Sequence, residues 1–193
     1  MRQLRVSLIA PSGAGKSTVA GLLKSAFESS GRSVQILKLA APLYQLQAGF
    51  YRECGVDLAA GRQDQHLLEV IATEMRRIAP QSLVRHFGER LASADADVVL
   101  NDDLRDDQTD WPWLRHNGFT VVRVVAGAAL RNQRLQGRGD LTLVKDSPLN
   151  AQIARIREDC TETNEGSLDA LRAQVQALAS SLLQPPDTAT ARG

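Results

Sequence analysis

The segment Ala10-Pro11-Ser12-Gly13-Ala14-Gly15-Lys16-Ser17-Thr18 carries the clearest chemistry in the chain. Its spacing is that of a phosphate loop, Gly-x-x-x-x-Gly-Lys-Ser/Thr, with Ala10 at the first position. Gly13 and Gly15 permit a backbone turn that aims consecutive N–H groups at phosphate oxygens. A helix opening near Lys16 adds its positive dipole end at the same place. Lys16 would then reach the β- and γ-phosphates of ATP, and the Ser17 hydroxyl would bind Mg²⁺. Ser12, Gly13, Ala14, Gly15, Lys16, Ser17 and Thr18 are the expected nucleotide contacts. A guanine-reading Asn-Lys-x-Asp motif is absent, because Gly15, Leu23, Leu37 and Val144 precede the four lysines.

The remaining cations are arginines, and several stand where a second anion could be held. Arg76 and Arg77 are adjacent, and Arg85 follows after Pro80. Arg105 lies two residues beyond Asp103. Arg131 and Arg134 share a helix face, with Arg138 and the glycines Gly137 and Gly139 just after. Bringing a phosphate acceptor to the terminal phosphate of ATP sets two anions side by side. A lysine, a Mg²⁺ ion and several arginines would compensate that charge. The planar guanidinium fork holds two oxygens at once.

These side chains need a scaffold, and the chain of 193 residues suffices for one domain with a buried core. Short apolar runs at Leu4–Ala10, Ser33–Leu39, Asp97–Asn101, Phe119–Val125 and Cys160–Thr163 predict strands. Helical spacing predicts helices over Lys16–Ser29, Leu43–Cys54, Gln65–Ile78 capped by Asp64, Ser82–Ala92 and Asp110–His116. Further helices are predicted over Ala128–Leu135, Leu149–Arg157 and from Ser167 to Leu183. Alternating strands and helices predict an α/β fold with a parallel sheet covered on both faces. Residues 1–183 read as a single domain, with a lid over about 131–148, and 184–193 as a flexible tail.

Composition bounds the rest. A net charge of +1 argues against a nucleic-acid polymer or an anionic membrane as partner. No apolar run approaches a bilayer-spanning length. Cys54 and Cys160 are expected as buried thiols in a cytoplasmic chain. His66, His86 and His116 lack metal-ligand spacing. Trp111 and Trp113 are expected to pack, and Asp106, Asp107 and Asp110 to charge a helix start. Oligomeric state stays open between monomer and homodimer.

From Val6 to about Leu182 the chain resembles the phage-type deoxynucleoside monophosphate kinases and the animal-type phosphomevalonate kinases. Lys38-Leu39-Ala40-Ala41-Pro42-Leu43 is similar to the segment that opens their acceptor site, with Tyr44 replacing the usual basic residue. Thr73-Glu74-Met75-Arg76-Arg77, Pro80 and Arg85 resemble their Thr-Glu-x-x-Arg and following Pro, leaving open which arginine is equivalent. Asn101-Asp102-Asp103-Leu104-Arg105 resembles their Ser-Asp-x-Arg. That match implies Asp103 at the Mg²⁺ or the attacking oxygen, and Arg105 on the acceptor phosphate. Arg131 and Arg134 resemble the lid arginines, and Asn164-Glu165-Gly166-Ser167-Leu168 the segment near the adenine.

The resemblance implies a three-layer P-loop NTPase fold with an Arg-rich lid. It implies Lys16, Asp103, Arg105, Arg131 and Arg134 as catalytic residues, and Asn164 as a further nucleotide contact. Lys38, Arg76, Arg77, Arg85 and Arg105 would bind the acceptor, and Ser17 and Asp103 the metal. The leading expectation is phosphoryl transfer from ATP to a small phosphorylated substrate, first a (deoxy)nucleoside monophosphate. Phosphomevalonate or another phosphorylated metabolite is the alternative within that class. A nucleotide-binding regulatory subunit is the alternative outside it.

Overall fold

The computed structural model describes residues 2–59, 61–137 and 148–184. Strands β1 (Leu4–Ile9), β2 (Val34–Ile36), β3 (Val98–Asn101), β4 (Thr120–Val125) and β5 (Cys160–Thr163) form one sheet in the order β2-β3-β1-β4-β5. Every adjacent pair is parallel. The chain moves to one side of β1 for β2 and β3, and to the other for β4 and β5. The end of β1 is therefore a topological switch point, where open parallel sheets bind ligands.

The two-residue period of the strands sorts the core into two layers. Val6, Leu8, Val98, Leu100, Val122 and Val124 face α1 (Lys16–Ser29) and α8 (Leu168–Leu183), where they meet Val19, Leu23, Phe27, Leu171 and Val175. Ile9, Val99 and Val121 face the opposite way. They pack with Val84, Phe87 and Leu91 of α4 (Ser82–Ala92) and Leu114 of α5 (Asp110–His116). Trp113 meets Phe87 edge-on at 5.8 Å between ring centroids, so this tryptophan packs as expected. A third, smaller cluster of Leu43, Ile71 and Leu83 joins α4 to α2 (Ala41–Glu53) and α3 (Gln65–Ile78). Helices α6 (Ala128–Gln136) and α7 (Pro148–Arg155) complete the described elements.

Local chemistry sets the helix starts. The Asp64 carboxylate accepts from Leu67 N at 3.1 Å, and the Ser167 hydroxyl accepts from Ala170 N at 3.2 Å. β2 ends before the expected Leu39. Leu37 N still donates to Leu100 O at 2.8 Å, but beyond it the backbone groups turn to side chains. Lys38 O accepts from Arg90 Nη2 at 2.6 Å, and the amides of Leu39 and Ala40 donate to Asp103. Cys54 is exposed, against expectation, while Cys160 is half-buried and its thiol is pushed up to about 11 by burial. Among the described residues, no helix is long and apolar enough to cross a membrane. Arg138, Gly139 and Lys145 of the expected lid, and residues 185–193 of the expected tail, lie outside the described residues.

Candidate active site

The phosphate loop leaves β1 and enters α1 at the switch point. Gly13 and Gly15 adopt left-handed backbone at φ 82° and 89°, a conformation that glycine takes without steric cost. Space forbids a side chain as well. A Cβ on Gly13 would lie 2.5 Å from Arg131 O, and one on Gly15 would lie 2.1 Å from Asn164 Nδ2. Asn164 is buried and braces the loop, donating from Nδ2 to Ala14 O at 2.8 Å. Its own Oδ1 and backbone O accept from Arg134 at 3.3 Å. Asn164 therefore sits beneath the loop as a strut, held by α6 from behind.

The cleft above the loop has a volume of about 520 Å³, and Ser12 to Thr18, Lys38, Asp102, Asp103, Arg105 and Arg134 line it. Lys16 makes no hydrogen bond or ion pair with any described residue. Burial, then the nearby charge of Arg105, lowers its pKa to about 7, although Asp103 and Asp102 pull the other way. An ammonium left underpaired in this way suits an incoming polyphosphate. The cradle with two glycines that no other residue could replace fits the same anion.

Asp102 and Asp103 divide the work differently from expectation. The carboxylate facing Ser17 is that of Asp102, 3.4 Å from the hydroxyl. It also accepts from Lys38 Nζ at 2.7 and 3.0 Å. Burial alone would lower the Lys38 pKa, but the bond to Asp102 and the charges of Asp102 and Asp103 raise it overall. Asp103, expected beside Ser17, is instead committed to backbone. Its oxygens accept from Leu39 N at 2.8 Å and Ala40 N at 2.9 Å, and Asn101 Nδ2 adds a bond of 2.6 Å. The cause is strand parity. Leu100 faces α1, so Asp102 continues on that side, while Asp103 follows Asn101 to the other. Asn101 in turn accepts from Ser7 Oγ at 2.9 Å, which anchors the arrangement to the sheet. Among the described residues no group of three or more His, Cys, Asp or Glu could hold a metal alone. Ser17 and Asp102 instead suit a Mg²⁺ ion that takes its other ligands from phosphates and water.

A second cleft opens beside the first, between α2 and one face of α3. Leu39, Leu43, Tyr44, Leu68, Arg76, Arg105 and Asp110 are among its walls. Arg105 lines both clefts and makes no hydrogen bond or ion pair with a described residue. Arg76 donates from Nη2 to Asp110 Oδ2 at 2.7 Å. Burial, opposed by Arg76, raises the Asp110 pKa to about 6.

The adjacent arginines are thus distinguished. Arg76 faces the second cleft, whereas Arg77 is exposed and paired with Glu74 at 2.7 Å on the surface of α3. Arg85 is exposed on α4 and lines neither cleft. Arg134 reaches the phosphate cleft, but Arg131 meets the loop through its backbone and lines neither cleft. Helical phase carried the signal for Arg76, four residues beyond the inward Ala72 and eight beyond Leu68. Asp110 and Arg90 were not expected at the site. Arg90, whose pKa burial lowers, holds Lys38 O, and no local pattern marks it.

No family model and no curated protein sequence matches the chain. Solved structures do. TT1252 from Thermus thermophilus shares 21% identity at a TM-score of 0.55, over 95% of this chain and 100% of its own. Shikimate kinase from Acinetobacter baumannii in complex with shikimate shares 19% at 0.53, over 94% and 96%. A gluconokinase from Sinorhizobium meliloti 1021 shares 16% at 0.54, over 94% and 95%. At such identities the likeness is one of architecture: the chain has the parallel-sheet, phosphate-loop fold found in the shikimate kinase and the gluconokinase.

Proposed function

We propose that the protein is an ATP-dependent kinase that transfers the γ-phosphoryl group to the phosphate of a small phosphomonoester, first a nucleoside monophosphate. One observation carries this reading. Arg105 has no partner among the described residues and stands where the phosphate cleft and the second cleft meet. A guanidinium so placed can grip the acceptor phosphate on one side while it balances charge on the transferring group on the other. A neutral hydroxyl acceptor would leave the side of Arg105 that faces the second cleft without an anion. The fold likeness to kinases supports phosphotransfer but does not choose the acceptor. A phosphorylated metabolite such as phosphomevalonate is the second reading in the same class.

The chain's own groups account for positioning. The loop amides and Lys16 hold the β- and γ-phosphates. Ser17 and Asp102 would hold Mg²⁺, which would supply positive charge against the nucleotide phosphates. Lys38 stands against Asp102 beside the transfer point, and Arg134 closes the loop side. The transition state is loose, so alignment and charge compensation supply most of the rate.

The test is a coupled ADP-release screen over nucleoside monophosphates and phosphorylated metabolites. Arg105→Ala is expected to raise the acceptor KM and lower kcat while the KM for ATP stays within about twofold, as for loss of a contact to one substrate. Lys16→Ala is expected to remove turnover by roughly 10² to 10⁴-fold. ADP release that no phosphomonoester stimulates, or an Arg105 effect confined to ATP, would overturn the assignment.

A further inference from the structure

Two arginines line the second cleft, and the protein treats them differently. Arg105 has no partner among the described residues, so its charge is available. Arg76 is already neutralised by Asp110, which is 3% exposed and bonded to it at 2.7 Å. Three carboxylates in all, Glu69, Asp103 and Asp110, line this cleft against the two arginines. Once Arg105 has taken an acceptor phosphate, the rest of the cleft offers no net positive charge. Its other walls are uncharged: apolar at Leu39, Leu43, Leu68 and Leu83, and polar at Tyr44, Gln63 and Gln65.

The Arg76–Asp110 pair is also incompletely made. A fork-to-fork pair would use two parallel bonds. Among the described residues only Nη2 to Oδ2 forms, and Arg76 Nε and Asp110 Oδ1 are both buried without a partner. Arg76 Nη1 has no hydrogen bond to a described residue. The guanidinium therefore keeps N–H groups for a ligand while Nη2 holds its counter-ion. Such a group is suited to donate to a neutral carbonyl or ring nitrogen. An anion would bring a second negative charge against Asp110, with no unpaired cation to receive it.

We propose that the Arg76–Asp110 pair is a charge filter at the far end of the acceptor cleft, admitting a neutral, hydrogen-bonding heterocyclic head and rejecting an anionic one. This rests on the reading of the second cleft as the acceptor site. Asp110 is then a specificity-determining residue for that site, acting through Arg76. The raised pKa of Asp110 fits the same picture, since burial and the nearby charges of Asp106 and Asp103 already strain its ionised form.

Equilibrium binding separates this inference from the reaction. Calorimetry of the full chain without ATP would compare three probes: thymidine 5′-phosphate, 2-deoxyribose 5-phosphate, which lacks the ring, and phosphomevalonate, which carries a carboxylate away from its phosphate. Wild type is expected to bind thymidine 5′-phosphate at least ~10-fold more tightly than either of the others, on the scale of one hydrogen bond to a charged group. Asp110→Asn keeps the shape and unmasks the Arg76 charge. It is expected to strengthen phosphomevalonate far more than thymidine 5′-phosphate, so that their ratio falls by ~10-fold or more. Equal wild-type affinity for the three probes, or binding of none, overturns the filter, and that comparison needs no variant. So does an Asp110→Asn protein that folds and keeps the wild-type ratio. If thymidine 5′-phosphate binds with the expected ratios but yields no ADP release when ATP is added, the filter stands and the kinase reading falls.

Discussion

Replacing each of the two consecutive aspartates by asparagine should give opposite phenotypes. Asp102 is 5% exposed and faces Ser17 and Lys38, where an incoming cation would sit. Losing its unit charge about 4 Å from a cation, at an effective dielectric near 20, removes up to about 4 kcal/mol. Allowing for relaxation, about 2 to 4 kcal/mol corresponds to a fall in kcat/KM of ~30- to 10³-fold. Half-saturation by Mg²⁺ should rise, while Tm stays within about 2 °C because Lys38 is half-exposed and its pair is worth little to stability. Asp103→Asn should do the reverse. An amide in its place sets an NH₂ against one of the three donors it now accepts from, Leu39 N, Ala40 N or Asn101 Nδ2. An unsatisfied buried donor costs about 1–3 kcal/mol, a loss of roughly 3–10 °C in Tm for a chain of this size. The assays are Mg²⁺ titration of ADP release and thermal denaturation of both variants. A shifted Mg²⁺ requirement in Asp103→Asn with none in Asp102→Asn would refute the parity argument.

Three further outcomes follow from the same geometry. Gly15→Ala should lose nucleotide affinity by ~10-fold or more, through positive φ and collision with Asn164, and Asn164→Gly in the same chain should restore only part, since the backbone cost remains. Lys16 has its pKa lowered to about 7 in the free protein, and a bound polyphosphate must raise it. Binding of Mg·ATP at pH 8 should therefore take up as much as one proton, and affinity should fall as pH rises above 7; calorimetric enthalpies that are equal in buffers of different ionisation enthalpy would contradict this. Arg77→Ala should leave acceptor KM and Tm almost unchanged, as expected of an exposed i,i+3 pair, so a large rise in acceptor KM would show that Arg77, not Arg76, meets the acceptor.

Much of this site was legible in the sequence where local rules act. The phosphate loop, the helix starts at Asp64 and Ser167 and the five strand positions depend on spacing within a few residues. What escaped depends on residues far apart in the chain. The Arg76–Asp110 pair spans 34 positions, and the bond from Asn164 to Ala14 spans 150. No periodicity links such residues, because tertiary packing brings them together. The early end of β2 escaped for the same reason: its outward amides are claimed by Asp103, 63 and 64 positions away.

The exchange of roles between Asp102 and Asp103 is a different case, because the information was present. Val98-Val99-Leu100 is apolar throughout, so it shows a buried strand without showing which residue faces which layer. The face follows from the neighbours. Residues of β1 that point to α1 alternate with Ser7, and Ser7 lies in register with Asn101. A polar residue inside each of two adjacent buried strands predicts that the two meet, because neither could be buried alone without cost. Ser7 and Asn101 do meet, which fixes Asn101 and then Asp103 on the face away from α1. Asp102 is left as the carboxylate on the side of Ser17. The buried polar pair thus does more than satisfy itself: it sets the register that presents one aspartate to the phosphate loop and the next to the turn that opens the second cleft.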